Sequence, residues 1–447
     1  MKLKLRKGLN LNIKGALSAE EKALDMSADI CAVVPDDFPG FIPKLSVKEG
    51  DNVAVGSPLL FDKNHPETKV VSPLSGIVRA IVRGDRRKIL RIEIERATVD
   101  VEAPRLAEVS DRNSACEFLA ESGLLAYMRK RPFDIIPNPD DVVRDIFITA
   151  IDDAPLAAPL GTVAASIFDR SDFETAVILL KKVTGGKVYF CHETNSPLSS
   201  IKGTEDVVVE GKYPAGNVGV QIANIKPVDK GDVVWTLDVM TLGRIGRTLS
   251  KGVFDATAVV AVVGPELKKP TLYKTVVGTA ITPLLSENLA DDSRSLRIIS
   301  GNVFTGMAVS ADDAYLRFPY RQVTVIAEGN DVDEFMGWAS LSPSKMSESR
   351  SFPGHFSKRL FSPDARLLGG RRAMIMSGEY DRVFPMDIMP EYLIKAILSH
   401  NIEDMEKLGI YEVAPEDFAA AEYVDTSKLP LQSIVREGLD YLRKELE

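Results

Sequence analysis

An alternation of short apolar runs with a helical run constrains the fold of this chain more than any other sequence feature. Residues 145–151, 187–191 and 205–209 are short apolar runs typical of buried strands. Between the first two runs, residues 172–183 repeat apolar side chains at helical spacing. Strands that are joined through a helix pair in parallel, because the helix carries the chain back across the sheet. The sequence therefore predicts a parallel sheet with crossover helices in this region.

The segments on either side differ in character. The first hundred residues are short apolar runs interrupted by Gly, Pro and Asp, which predicts tight turns and a small β-barrel or sandwich. Apolar residues recur at helical spacing from Ser114 to Arg131, where Pro132 stops the pattern, and helical patterns return after residue 340. We therefore expect an α+β multi-domain chain with a β domain at 1–104, a helical linker at 105–140, an α/β domain at 141–255, a β-rich domain at 256–335 and a helical domain at 336–447.

Charge and composition exclude several classes of protein. The formal charge of −9 over 447 residues gives no positive field for a nucleic acid. The longest apolar stretch, residues 256–263, is far shorter than the roughly 20 residues that cross a bilayer. The three cysteines have no paired spacing, so we expect neither disulfides nor a Cys-based metal site, and a reducing, cytoplasmic compartment fits.

Residues that could carry catalysis are scarce. The four histidines are scattered and lack the spacing of a zinc site, and no G-x-S-x-G nucleophile motif is present. A G-x-G-x-x-G phosphate loop is also absent, and the nearest glycine cluster, residues 211–219, is interrupted by Pro214. We therefore assign no catalytic, cofactor-binding or metal-binding residues.

Two motifs in the first domain resemble the hammerhead of biotinyl and lipoyl carrier domains. They are Val47-Lys48-Glu49-Gly50-Asp51 and Ser72-Pro73-x-x-Gly76. This resemblance implies a flattened, lipoyl-like β barrel-sandwich. In a carrier, an exposed lysine lies in a tight hairpin between the two motifs, whereas here Lys63 is displaced and Pro66 interrupts the turn. Two interpretations stay open, cofactor attachment at Lys63 and a rigid interaction module, and we favour the second.

Further motifs extend a resemblance over essentially the whole chain. They share order and spacing with the A subunits of sodium-translocating NADH:quinone oxidoreductases, the Nqr complexes, and include residues 131–133, 147–152, 155–158, 186–189, 214–216, 297–301 and 351–355. The resemblance implies a complex that passes electrons from NADH to quinone and exports Na+. It places this chain on the cytoplasmic face of the bacterial inner membrane, as a peripheral subunit. NADH, flavins and Fe-S clusters would then be bound by other subunits, which would be its partners.

More distant relatives are the C subunits of Rnf complexes and the NADH- and FMN-binding subunit of respiratory complex I. They imply a Rossmann-like domain at 141–255, with the acidic loop 152–155 after its first strand, and a β-grasp domain of the soluble-ligand-binding type at 256–335. Without a phosphate cradle, we expect that this chain has lost flavin and nucleotide binding. We prefer the interpretation that the fold is retained and the site is lost over the interpretation that this chain binds FMN or NADH.

The resemblance to Rnf subunits also implies a degenerate ferredoxin-like region at 336–447. The positions matching the eight cluster-ligating cysteines are Met374, Ser377, Tyr380, Phe384, Pro415, Phe418, Ala421 and Asp425. None is a cysteine, so no thiolate is available for iron. We expect these mainly apolar side chains to pack as core and the chain to carry no Fe-S cluster.

Two segments combine aromatic rings with hydrogen-bond donors, as a quinone site requires. Residues 127–137 contain Arg131 and Phe133, and residues 349–356 contain Phe352 and His355. These four residues are the candidate quinone contacts. The alternatives are a solvated basic helix end for the first segment and an interface loop for the second.

The basic clusters 83–88 and 370–372 face either lipid headgroups or water. For the whole chain, the rival functions are a ligand-free assembly subunit, an Rnf-like electron carrier and a flavin- or NADH-binding dehydrogenase subunit.

Overall fold

The computed structural model describes residues 1–18, 21–290, 294–310, 314–330, 335 and 339–446. Its strands are β1 Lys2–Lys4, β2 Leu24–Asp25, β3 Ile30–Val33, β4 Pro43–Leu45, β5 Asn52–Val53, β6 Pro58–Asp62, β7 Lys69–Val71, β8 Gly76–Arg83, β9 Ile89–Arg96, β10 Arg129–Arg131, β11 Asp145–Thr149, β12 Val188–His192, β13 Glu205–Glu210, β14 Val234–Asp238, β15 Thr257–Val263, β16 Thr271–Val276, β17 Leu296–Ser300, β18 Met307–Val309 and β19 Gln322–Ala327. Its α-helices are α1 Arg112–Glu121, α2 Leu160–Ile167, α3 Arg170–Val183, α4 Val218–Ile225, α5 Val239–Lys251, α6 Thr282–Leu285, α7 Pro390–Leu398, α8 Ile402–Lys407, α9 Ala419–Val424 and α10 Leu431–Leu446. None of these helices combines the length and apolar character needed to span a bilayer.

The predicted parallel sheet is present and has six strands in the order β1-β13-β12-β11-β14-β10. β11 pairs in parallel with both β12 and β14, and β12 pairs in parallel with β13. Strand β11 is buried along almost its whole length, as expected for a strand covered on both faces. The helices α2 and α3 connect β11 to β12, and α4 connects β13 to β14. The strand and helix predictions for this region are therefore confirmed.

The first 25 residues extend two sheets outside the N-terminal barrel. β1 pairs in parallel with the edge strand β13, and β2 pairs in parallel with β16. An edge strand presents unpaired backbone groups, which an additional strand satisfies. The partner of β1 lies some two hundred residues away in the sequence.

Two antiparallel sheets form the N-terminal barrel-sandwich, in the orders β3-β9-β8-β5 and β4-β6-β7. A further six-stranded sheet, β18-β17-β19-β15-β16-β2, mixes parallel and antiparallel pairs. A mixed α/β chain of several domains is therefore confirmed. Its helices α7 to α10 cluster around a separate apolar core near the C-terminus.

The predicted helix from Ser114 to Arg131 is wrong beyond Glu121. The helix α1 ends there, because Gly123 takes a left-handed conformation with a φ of 79°. The apolar residues that follow are buried in a 3-10 turn, Leu125–Tyr127, and the chain then enters β10. β10 pairs antiparallel with β14 and forms an edge of the parallel sheet. The segment holding Arg131 is consequently a strand.

Candidate functional site

Arg131 lies at the end of β10 with only 1% of its surface exposed. Its guanidinium faces three carboxylates: Nη1 is 3.5 Å from Asp417 Oδ2, Nη2 is 3.3 Å from Glu416 Oε1, and Nε is 3.8 Å from Asp134 Oδ1. A buried charge is tolerated only when it is paired, because its desolvation is costly. The contacts therefore fix an edge strand of the parallel sheet to the C-terminal helical region.

Asp417, which is fully buried, receives more than this ion pair. Its Oδ2 accepts a hydrogen bond from the Ala414 backbone N–H at 2.9 Å, and its Oδ1 accepts one from Asn217 Nδ2 at 3.4 Å. Burial raises the pKa of Asp417, while Arg131 and the two hydrogen-bond donors oppose that rise. The carboxylate is thus held by partners from three different parts of the chain.

The carboxylate of Asp417 also lies against the first turn of α4. A methyl group at Gly219 would come within 2.5 Å of Asp417 Oδ2, so the glycine permits this approach. The amino end of a helix carries partial positive charge and is a natural place for an anion. In this chain, the anion at the amino end of α4, beside residues 211–219, is the Asp417 carboxylate.

Two buried polar atoms lie next to this contact, and the sequence pattern did not identify them as candidates. The Tyr213 hydroxyl and Gln221 Oε1 have no hydrogen-bond partner among the described residues. The Tyr213 ring stacks on Phe304, with ring centroids 4.6 Å apart. Burial, with the nearby carboxylates of Glu416 and Asp153, raises the pKa of Tyr213. Tyr213 lies within residues 211–219, the glycine cluster that was considered in the sequence only for a phosphate-loop motif, which it lacks.

The carboxyl edge of the parallel sheet is closed by the neighbouring sheet. Arg321, directly before β19, places Nη1 2.5 Å from Asp238 Oδ2 and Nη2 3.7 Å from Asp152 Oδ2. Gln322 Nε2 donates to the Pro155 carbonyl at 3.1 Å. Cavities of about 40 and 20 Å³ lie along this junction. Such volumes hold a few water molecules. They lie at the carboxyl edge of the sheet, where α/β folds bind nucleotides.

Asp153 follows β11 at the same edge. Its Oδ2 accepts a hydrogen bond from the Gly216 backbone N–H at 2.9 Å. Burial raises the pKa of Asp153 to about 7, and the nearby carboxylates of Asp152 and Glu193 add to the rise. The predicted acidic loop is therefore folded back onto the glycine cluster.

The structure brings Arg131 and Phe133 to one junction and places Phe352 and His355 in an outer loop. The Phe133 ring meets the Tyr411 ring edge-on at 6.3 Å. In the outer loop, His355 lies edge-on to Phe356 with ring centroids 5.0 Å apart, and Phe356 is 71% exposed. The alternative of a solvated basic helix end does not hold for Arg131, because that side chain is buried.

Lys63 lies at the start of the turn between β6 and β7, with its side chain exposed. The turn is organised by buried Asp62, whose Oδ1 accepts from the backbone N–H groups of Asn64 at 2.7 Å and His65 at 3.1 Å. This arrangement is an Asx-type turn and requires nothing of the lysine side chain. No contact distinguishes Lys63 from an ordinary surface lysine.

The positions that match cluster ligands in the Rnf relatives are packed against one another. Tyr380, Phe384, Phe418 and Ala421 are each at most 1% exposed and belong to the C-terminal core. The rings of Phe384 and Phe418, one from each predicted set, are 4.8 Å apart. Asp425 is also buried and accepts hydrogen bonds from the backbone of Ser427 and Leu429. The predicted core packing is confirmed for Tyr380, Phe384, Phe418 and Ala421, whereas Asp425 is buried with hydrogen bonds. The prediction is wrong for Ser377, which is exposed, and Met374 and Pro415 are only half-buried.

We expect Gly219→Ala to destabilise the fold, because the new methyl group would collide with Asp417. Forcing an extra methyl into a tightly packed place costs about 1–3 kcal/mol. Urea unfolding would measure the loss. The matched control is Gly185→Ala, where the added methyl meets open space. Equal stabilities of the two variants would contradict the close contact between α4 and Asp417.

We expect Asp153→Asn to weaken the dependence of stability on pH. The pKa of about 7 lies above the usual value of 3.8, so the folded state holds this proton more tightly than the unfolded state. Through Asp153, the free energy of unfolding falls as the pH rises from about 4 to 7 and then levels off. Thermal unfolding between these pH values would show a smaller fall in the variant. The exposed Asp140→Asn should leave the slope unchanged, and an unchanged slope in Asp153→Asn would refute the assignment.

Comparison with known proteins gives matches along most of the chain. The family models "NqrA N-terminal barrel-sandwich hybrid domain", "NqrA second alpha/beta domain" and "NQRA C-terminal domain" match residues 3–97, 110–254 and 259–311. A crystal structure of NAD+-reducing nickel–iron hydrogenase in the H2-reduced state matches with a TM-score of 0.39 and 12% identity. That match covers 75% of this chain and 61% of the other, and the likeness is too low to carry an argument.

Curated relatives match over the full length. The A subunit of the Na(+)-translocating NADH-quinone reductase of Vibrio anguillarum is 34% identical over 452 residues, covering 99% of both chains. Its counterparts in Pasteurella multocida and Shewanella frigidimarina are 33% identical over 449 and 450 residues, again covering 99% of each chain. The chain therefore belongs to the family of Na+-translocating NADH-quinone reductase A subunits.

Proposed function

We propose that this chain is a peripheral subunit of a complex that oxidises NADH, reduces ubiquinone to ubiquinol and exports Na+ from the cytoplasm. The relatives that match it from end to end are named as A subunits of Na+-translocating NADH-quinone reductase. The other subunits of that complex are its proposed partners, on the cytoplasmic face of the bacterial inner membrane. They would bind NADH, the flavins and the Fe-S clusters.

Three contacts support the proposal for this chain's own role, in which side chains fill the places that could hold cofactors. The Asp417 carboxylate occupies the amino end of α4, and Arg321 closes the crevice at the sheet edge. Phe384 and Phe418 pack together where two clusters would be ligated. Filled in this way, the chain would carry neither flavin nor Fe-S cluster and would not be active alone.

We propose that this chain supports the binding and reduction of quinone. Arg131 and Phe133 supply a cation and an aromatic ring at the junction with the helical region, and the Phe133 side chain is only half-buried. Phe352 and His355 supply a second ring and a donor in the half-buried outer loop. Since neither segment forms a closed pocket by itself, we propose that a partner protein of the complex completes the quinone site.

The finer descriptions of the domains belong to the same proposal. The parallel sheet with helices α2 to α5 supports a Rossmann-like domain at 141–255, joined to the lipoyl-like barrel at 1–104 by the linker at 105–140. The mixed sheet around β15 supports a β-grasp domain at 256–335. The buried ligand positions support a degenerate ferredoxin-like region at 336–447.

The main rival is an assembly subunit without any ligand. It predicts that substitutions in the outer loop change neither the affinity for quinone nor the KM for quinone. An Rnf-like electron carrier would instead need thiolates that the eight matching positions lack.

We expect His355→Ala to raise the KM for ubiquinone of the assembled complex about fivefold, which corresponds to one lost hydrogen bond of about 1 kcal/mol. The NADH-dependent reduction of the flavins should be unchanged, because that step belongs to other subunits. The matched control is His65→Ala, a half-exposed histidine in the barrel. If both variants assemble normally and neither changes the KM for ubiquinone, the scaffold rival is favoured.

A further inference from the structure

Residues 341–376, here called the outer strap, differ in charge from the rest of the chain. The outer strap contains seven Lys and Arg residues and two acidic residues, whereas the whole chain has a charge of −9. The strap has one short 3-10 helix, Pro353–Phe356, among its described residues. A local positive segment on an acidic protein marks a surface suited to an anionic partner.

Large apolar side chains are exposed along the same segment. Leu341 is 83% exposed, Phe356 71%, Leu360 64%, Leu367 54% and Ile375 49%. Scattered exposed apolar residues are ordinary, but a concentration of them on one segment indicates an interaction surface. The outer strap therefore combines positive charge with exposed apolar side chains.

Backbone contacts hold the outer strap onto the folded protein. The Phe361 backbone N–H donates to the Asn12 carbonyl at 2.8 Å, and the Arg372 backbone N–H donates to the Ser427 carbonyl at 3.0 Å. The run from Phe356 to Leu360 lies between two buried residues, Gly354 before it and Phe361 after it. This run is thus an anchored loop that presents its side chains outward.

Residues 356–360 show the combination most clearly. Phe356 and Leu360 flank Lys358 and Arg359, and all four side chains are exposed. Among the described residues, neither of the two cations forms an ion pair. Apolar side chains that enter the acyl boundary, beside cations that face headgroups, are the elements by which proteins bind membrane surfaces.

We propose that residues 356–360 of the outer strap are inserted at the headgroup level of the anionic lipid surface of the membrane. Charge decides between lipid and protein as the partner. Cytoplasmic loops of membrane proteins are themselves rich in Lys and Arg and would repel this segment. Anionic headgroups of the cytoplasmic leaflet attract it. The inference rests on the proposed peripheral location, but its test uses neither quinone nor the assembled complex.

The test is co-sedimentation of the purified full-length chain with lipid vesicles at about 0.15 M salt. The chain should bind vesicles that contain phosphatidylglycerol and should not bind vesicles of phosphatidylcholine alone. Lys358→Glu with Arg359→Glu should weaken the binding by about tenfold or more. Phe356→Ser with Leu360→Ser should also weaken it, because the inserted apolar area is lost.

Two control variants separate the strap from general surface chemistry. Arg86→Glu with Arg87→Glu reverses two exposed charges on the barrel hairpin, and Val142→Ser removes an isolated apolar side chain that is 85% exposed. Both controls should bind phosphatidylglycerol vesicles like the parent chain. No binding by the parent chain, or an equal loss in strap and control variants, would overturn the proposal. It would also be overturned if the strap variants bound phosphatidylglycerol vesicles as tightly as the parent chain.

Discussion

A buried guanidinium must be paired with a carboxylate, and this requirement organises the centre of the molecule. Arg131 and Asp417 are nearly or fully inaccessible to solvent and lie 3.5 Å apart, although 286 residues separate them in the sequence. Removing Arg131 would leave the Asp417 carboxylate buried without its cation, which costs about 3–5 kcal/mol. Removing Asp417 would leave Arg131 with the carboxylates of Glu416 and Asp134. Because Asp417 also lies against Gly219, the pair ties together the edge strand β10, the start of α4 and the C-terminal helical region. The relative position of these parts depends on it.

Local patterns in the sequence identified three strands and one helix of the parallel sheet, but they did not identify the contacts between distant elements. The apolar runs and the helical spacing of residues 172–183 correctly predicted the parallel sheet, because burial on both faces leaves a clear signal. The same reasoning extended α1 to Arg131, since the apolar residues after Gly123 are buried in a turn that mimics helical spacing. β1 joins a sheet edge formed by residues 205–210, and no local pattern identifies so distant a partner.

The candidate site shows the same limit. Arg131 was selected because it combines charge with neighbouring aromatic rings, but its burial against Asp417 follows from tertiary packing alone. The Tyr213 hydroxyl has no hydrogen-bond partner in the part of the chain that the structure describes, and this could be seen only from the surroundings of residues 211–219. In contrast, the core packing of Phe384 and Phe418 was predicted, because apolar residues at former ligand positions must fill the space that a cluster would leave.

We propose that the chain keeps the architecture of a redox protein and fills the corresponding cofactor positions with its own side chains. The most direct measurement is the content of iron, acid-labile sulfide and flavin in freshly purified full-length protein, with its visible absorption spectrum. The account predicts a colourless protein with none of these groups in stoichiometric amount. Stoichiometric iron and sulfide, or one tightly bound FMN per chain, would contradict it.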